Sequence, residues 1–138
     1  MAIVTVSVGL DYHPNCIQVC VMDSAGNVLL NTTRSNSAED LDRTVRPFGE
    51  QIRAAIEVSP GAAHLAHELA MKYGWSVNMA HPGYVARIKQ SPDKTDYSDA
   101  KLLADLERVG YLPKVWLAPL EVQDLRTLTR HRAELAAQ

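Results

Sequence analysis

Four acids have the types and spacing to do chemistry: Asp11, Glu57, Asp96 and Asp99. Asp96 and Asp99 stand three residues apart in KTDYSDAKLLADL (94–106), where an apolar helix begins. That helix repeats Leu102, Leu103, Leu106 and Val109. At about 100° per residue, Asp99 falls at the centre of the apolar stripe and Asp96 on its flank, about 60° away. Lys101 and Arg108 fall on the other side. Asp11 ends a strand in which period-2 parity groups it with Ser7 and Gly9, opposite the valines. Glu57 ends another strand and shares a face with Ala55. Small residues therefore leave room beside both acids. Four carboxylates around one point repel strongly unless cations sit between them. Hard oxygen ligands in that number suit Mg²⁺ or Mn²⁺. Two such ions about 3.5–4 Å apart activate a nucleophile and stabilise a leaving oxygen in phosphodiester chemistry.

Each acid also has a plain structural reading. Asp96 and Asp99 form a D-x-x-D pattern at a helix start, close to a capping box with Asp in place of Glu. Asp11 before YHPN reads alone as a turn residue. Glu57 is harder to dismiss, because the apolar stretch around it makes a lone glutamate costly. The four carry weight as a set.

The elements that must position them follow from periodicity. Val4, Val6, Val8 and Leu10 alternate with Thr5, Ser7 and Gly9, which predicts a strand over 2–11. CIQVCVMD (16–23) predicts a second strand, SAGN (24–27) a turn, and VLLNTTR (28–34) a third strand. These form an antiparallel meander. Ser37 caps a helix to about Gly49, with Glu39 and Asp40 in its first turn. A fourth strand covers 53–59, a helix 61–74 starts after Pro60 and closes at Gly74, and a fifth strand covers 75–80. Pro82 opens a short helical piece to about Lys89, residues 90–94 form a loop, and the acid-bearing helix follows. Residues 109–119 read as a connector, and an amphipathic helix runs from about Leu120 to the end. The expected fold is α/β: a mixed five-stranded sheet with helices on both faces, its first three strands antiparallel. The expected division is a catalytic domain over 1–118 and the start of a helical region over 119–138. That last helix lacks a C-cap signal, so the chain is expected to be a fragment.

Composition narrows the class. The 138 residues suffice for one domain with a real core, and 46% apolar with 22% charged is ordinary for a globular protein. No apolar run has the length of a membrane span, and the N-terminus lacks a signal peptide's basic and cleavage regions. Cys16 and Cys20 share one strand face too far apart to bond readily, which fits a reduced, cytoplasmic protein. A net charge of −2 argues against a simple nucleic-acid coat protein. Setting the four acids aside moves the balance to +2, so a nuclease is not excluded.

Several stretches then carry a family resemblance. VGLDYHPN with VCVMDSAGNVL, AAIEVSPGAAHLAHEL, VNMAHPGYVARIKQSPDKTDYSDAKLLADL and LRTLTRHRAEL resemble, in order, the N-terminal domain of the DEDD transposases. These are insertion-sequence recombinases related to Piv-type DNA invertases, some of them guided by a bridge RNA. The most specific part is the K-T-D-x-x-D-A run at Lys94 to Ala100, preceded by His81-Pro82. The resemblance implies a ribonuclease H-like, RuvC-like fold. It maps the four family acids onto Asp11, Glu57, Asp96 and Asp99, as catalytic residues and Mg²⁺ or Mn²⁺ ligands. It also implies DNA as partner, a guide RNA in some members, and a C-terminal domain with a nucleophilic serine that has no counterpart here.

Arg87, Lys89, Lys94 and Thr95 lie close to the acid pair and are candidates for holding nucleic-acid phosphates, with Tyr84 and Tyr97 for stacking on bases. A solvated surface loop is the equal alternative. Arg126, Arg130 and Arg132 read as the polar face of a final helix whose Leu125, Leu128 and Leu135 pack on a partner, a homo-oligomer contact. HLAHE (64–68) is neither H-E-x-x-H nor H-x-x-E-H and reads as helix surface. His13 returns to the face of Asp11 but reads first as a turn residue. The expected function is metal-dependent DNA strand cleavage and rejoining. The alternatives are a non-catalytic nucleic-acid-binding or dimerisation module, and an ATP-binding domain of the actin and sugar-kinase type. DYHPNC offers neither glycine nor serine for the phosphate-holding turn the latter uses after its first aspartate.

Overall fold

The computed structural model describes residues 3–81, 96–110 and 114–115. Strands β1 (Thr5–Tyr12), β2 (Cys16–Met22) and β3 (Val28–Ser35) come first, then helix α1 (Ala38–Val45) and a 3-10 turn, Arg46–Phe48. Strand β4 (Gln51–Glu57), helix α2 (Pro60–Tyr73), strand β5 (Ser76–Ala80), helix α3 (Asp96–Val109) and strand β6 (Lys114–Val115) follow. One sheet holds all six strands in the order β3-β2-β1-β4-β5-β6. β1, β2 and β3 pair antiparallel, whereas β4 runs parallel to both β1 and β5. The fold is the α/β, ribonuclease H-like arrangement expected, with five long strands and helices on both faces.

The sixth strand was not anticipated. Two residues of the expected connector, Lys114 and Val115, pair antiparallel with Ala80 and Met79. A segment so short has no period to read, and only the open edge of β5 makes it a strand. Helix α1 stops at Val45 rather than near Gly49, because Pro47 has no N–H for another helical turn and a 3-10 turn takes its place. The expected helical piece at 82–89, the loop at 90–94 and the helix from Leu120 lie outside the described residues.

Strand alternation divides the molecule into two layers. Val6, Val8, Leu10, Ile17, Val19, Val21, Ile52, Ala54 and Ile56 point to one face and bury Leu41 and Val45 of α1 and Leu65 and Leu69 of α2. Ser37 caps α1 by accepting from the Asp40 N–H, and Ser59 caps α2 by accepting from the Ala62 N–H. Gly74 closes α2 in the left-handed region at φ 73°, where a Cβ would be strained. Trp75 is sealed into this layer, its indole N–H donating to Asp42 Oδ1 at 2.8 Å.

The opposite face is built of small residues. Gly9 and Ala55 stand where large side chains would hold a helix off, and α3 lies across β1 and β2 and reaches β4. Ala100, Ala104, Cys20 and Met22 are buried together there, and Leu103 packs with Ala55 and Ala80. A Cβ on Gly9 would overlap the Ala100 carbonyl oxygen and stand 2.6 Å from the Ala104 nitrogen. Helix backbone therefore rests directly on strand backbone, and only glycine permits that approach.

Candidate functional site

Asp11 and Glu57 become neighbours through strand register. β1 and β4 pair in parallel as Gly9 with Ala55 and Leu10 with Ile56. Continued by one residue, this register sets Asp11 beside Glu57. Adjacent strands lie about 4.8 Å apart, so by this register the two residues are lateral neighbours on the sheet. Period-2 parity puts both on the face of Gly9 and Ala55, which α3 covers. Asp11 also faces Gln18 across the hairpin, and Gln18 faces Thr33. Gln18 accepts from Thr33 Oγ1 and donates to Asn31 Oδ1, both at 2.7 Å. A polar row thus runs from the edge strand to the acids, on a sheet whose other face is apolar.

α3 brings the third acid to the same end. Glu107, near its C-terminus, meets Asn78 and Arg53, whereas Ala100 and Ala104 meet Gly9. The helix therefore runs opposite to β1 and β4, with its N-terminal turn toward Asp11 and Glu57. Asp99 is in that turn and is half-buried. The positive end of the helix dipole there favours negative charge. Asp96 is the first residue of α3, as expected, and its side chain lies outside the described residues.

The helix is turned differently from the sequence reading. Its buried stripe is Ala100, Leu103, Ala104 and Glu107, and Val109 is exposed. Asp99 sits on the flank of this stripe, not at its centre, on the same side as Leu102 and Leu106. Those leucines pack toward Ala55 and Ala80, so Asp99 shares the flank nearer β4 and β5. Large aliphatic residues misled the periodicity: the contact at Gly9 admits only alanines, and the leucines are displaced to one side.

His13 has two roles. Its backbone N–H donates to the Cys16 carbonyl at 3.0 Å and its carbonyl accepts from the Cys16 N–H, closing the β1–β2 hairpin. Its ring Nε2 lies 3.3 Å from Asp11 Oδ2. Cys16 and Cys20 are free thiols. Burial pushes the Cys20 thiol up to about 11, with Lys101 pulling weakly the other way. Sequence reasoning missed Glu107, which is 1% exposed although charged. Its only signal was its spacing, four residues after Leu103 and three after Ala104 on the buried stripe.

As a donor set, Asp11, Glu57 and Asp99 fit Mg²⁺ or Mn²⁺ in kind, being hard oxygens at one end of one face. Among the described residues, no three His, Cys, Asp or Glu side chains are gathered closely enough to hold a metal ion. The fit is therefore one of ligand type and location. Arg87, Lys89, Lys94 and Thr95, with Tyr84, lie outside the described residues, as does the side chain of Tyr97. No helix among the described residues is long and apolar enough to cross a membrane.

Comparison with curated proteins gives no match. Comparison with protein families gives one that spans residues 8–138, described as a transposase of the DEDD, IS110 type. That match takes in β1 from Val8 onward, the whole of β2 and β4, and the whole of α3. The chain belongs to the DEDD transposases of the IS110 type, enzymes that act on DNA.

Proposed function

We propose that this chain is the metal-dependent half of the transposase, in which Asp11, Glu57, Asp96 and Asp99 hold Mg²⁺ or Mn²⁺ against a DNA phosphate for strand cleavage and rejoining. The observation that carries the reading is the parallel β1–β4 register through Leu10 and Ile56, which continued by one residue sets Asp11 beside Glu57, beneath the helix that bears the other two acids. Carboxylates gathered at one point repel each other, and a divalent ion between them removes that cost. When bound, the metal would polarise the phosphate and stabilise the leaving oxygen. The protein's part is to keep the carboxylates converged and to hold the strand. His13, in contact with Asp11, restrains that carboxylate's rotation. Arg87, Lys89, Lys94 and Thr95 are assigned to the DNA backbone, and residues 119–138 to a helical region that leads to a serine domain and mediates self-association. A guide RNA would engage the same basic segment.

Asp11→Asn, Glu57→Gln and Asp99→Asn are each expected to lower metal-dependent strand transfer about 100-fold or more, the scale of a preorganised charge-stabilising group. The measurement is a transposition assay with donor and target DNA, using the full-length transposase that carries each change, beside circular dichroism of this chain to verify folding. Wild-type recombination by folded Asp11→Asn or Asp99→Asn protein would overturn the reading.

A further inference from the structure

We propose that Glu107, held by Asn78 and Arg53, is a positioning residue that sets the axial register of α3 and so brings Asp99 level with Glu57. The inference rests on the metal-site reading above. Glu107 is 1% exposed, and its Oε1 accepts from Asn78 Nδ2 at 2.5 Å and lies 3.4 Å from Arg53 Nε. Arg53 and Glu57 are on the same strand and the same face, four residues apart, or about 13 Å along β4. Glu107 and Asp99 are eight residues apart, or about 12 Å along α3. The two spans match. A tie at the Arg53 end therefore fixes which helix residue arrives at the Glu57 end.

The rest of this interface is apolar: Gly9, Ala100 and Ala104 bring the backbones close, and Leu103, Met22 and Cys20 pack beside them without a directional bond that selects one register. A slip of one residue would move Asp99 by about 1.5 Å and turn it by about 100°. Slipping would also strip a buried carboxylate of its hydrogen-bond donor and its cation, which is strongly disfavoured. The clamp thus supplies the register that the small residues leave open.

The test is Mn²⁺ titration of the chain, followed by calorimetry at 25 °C, with thermal melts of every variant. Glu107→Ala and Arg53→Met are expected to weaken Mn²⁺ binding about tenfold or more, the size of effect seen for groups that orient metal ligands. Leu41→Ala, in the core of the other layer, should lower the melting temperature yet bind Mn²⁺ like the wild type. That control separates positioning from stability. Glu107→Gln combined with Asn78→Asp keeps the hydrogen bond with the carboxylate on the other partner, and is expected to restore binding. If Glu107→Ala does not fold, Arg53→Met and the exchanged pair decide the outcome. Should Asp99→Asn weaken binding while folded Glu107→Ala and Arg53→Met bind normally, the positioning role is overturned and the metal site stands. Should the wild type bind no Mn²⁺, or Asp11→Asn and Asp99→Asn bind it unchanged, both are overturned.

Discussion

Side chains of one type behave differently here because their surroundings differ. Cys20 is sealed between β2 and α3, and burial raises its thiol to about 11, whereas Cys16 is half-buried at the start of the same strand. At pH 8 a maleimide is therefore expected to label one thiol of the native chain, and peptide mapping should find it on Cys16. Both label once the chain is unfolded, since a thiolate needs water and access. Asp42 makes a similar point on the other layer. It accepts from the Trp75 indole at 2.8 Å and from Arg46 Nη2 at 2.7 Å. Trp75→Phe keeps most of the apolar volume but removes one donor, so a loss of about 1 kcal/mol is expected in urea unfolding.

At the scale of elements, two glycines separate a fatal contact from a tolerable one. A Cβ on Gly9 meets the backbone of α3, and one on Gly61 meets the hydroxyl end of Tyr12. Backbone cannot move without shifting the helix, whereas a tyrosine can swing aside. Gly9→Ala is expected to cost about 3 kcal/mol by overpacking. Gly61→Ala is expected to be near neutral, since helix propensity gained there offsets the displaced ring. Chemical denaturation of both variants checks the contrast. The same contact explains why the stripe of α3 was misread. Counting Leu102, Leu103, Leu106 and Val109 assumes that large residues face the core, but a helix seated on glycine turns its alanines inward. β1 was legible because its alternation is unbroken, and the α2 boundaries because Pro60 and Gly74 mark them.

Across the whole molecule, the central strands carry more helix cover than the edge strand β3. β1 and β4 lie in the middle of the sheet order, between α1 and α2 on one side and α3 on the other. β3 is an edge strand whose Val28 and Leu29 are exposed. Amides of β1 and β4 are therefore expected to exchange with deuterium last and those of β3 well before them, because opening β3 uncovers little of the core. Mass spectrometry of exchanged peptides gives the order. Uniform exchange across the sheet would mean that the layers do not protect the centre as packed.

By itself the sequence determined the layers of this protein. Alternation and helix punctuation are local, and they suffice to assign strand faces, to set Asp11 with Gly9 and Glu57 with Ala55, and to carry the family resemblance. The register between elements was decided only in three dimensions. That Asp11 stands beside Glu57 depends on β1 pairing with β4, some forty-six residues away in the Thr5–Gln51 register. That Asp99 comes to their end of the sheet depends on where α3 settles over Gly9, Asn78 and Arg53. Neither distance is encoded in any single segment, because register arises from the fit of two surfaces and exists only once both have formed.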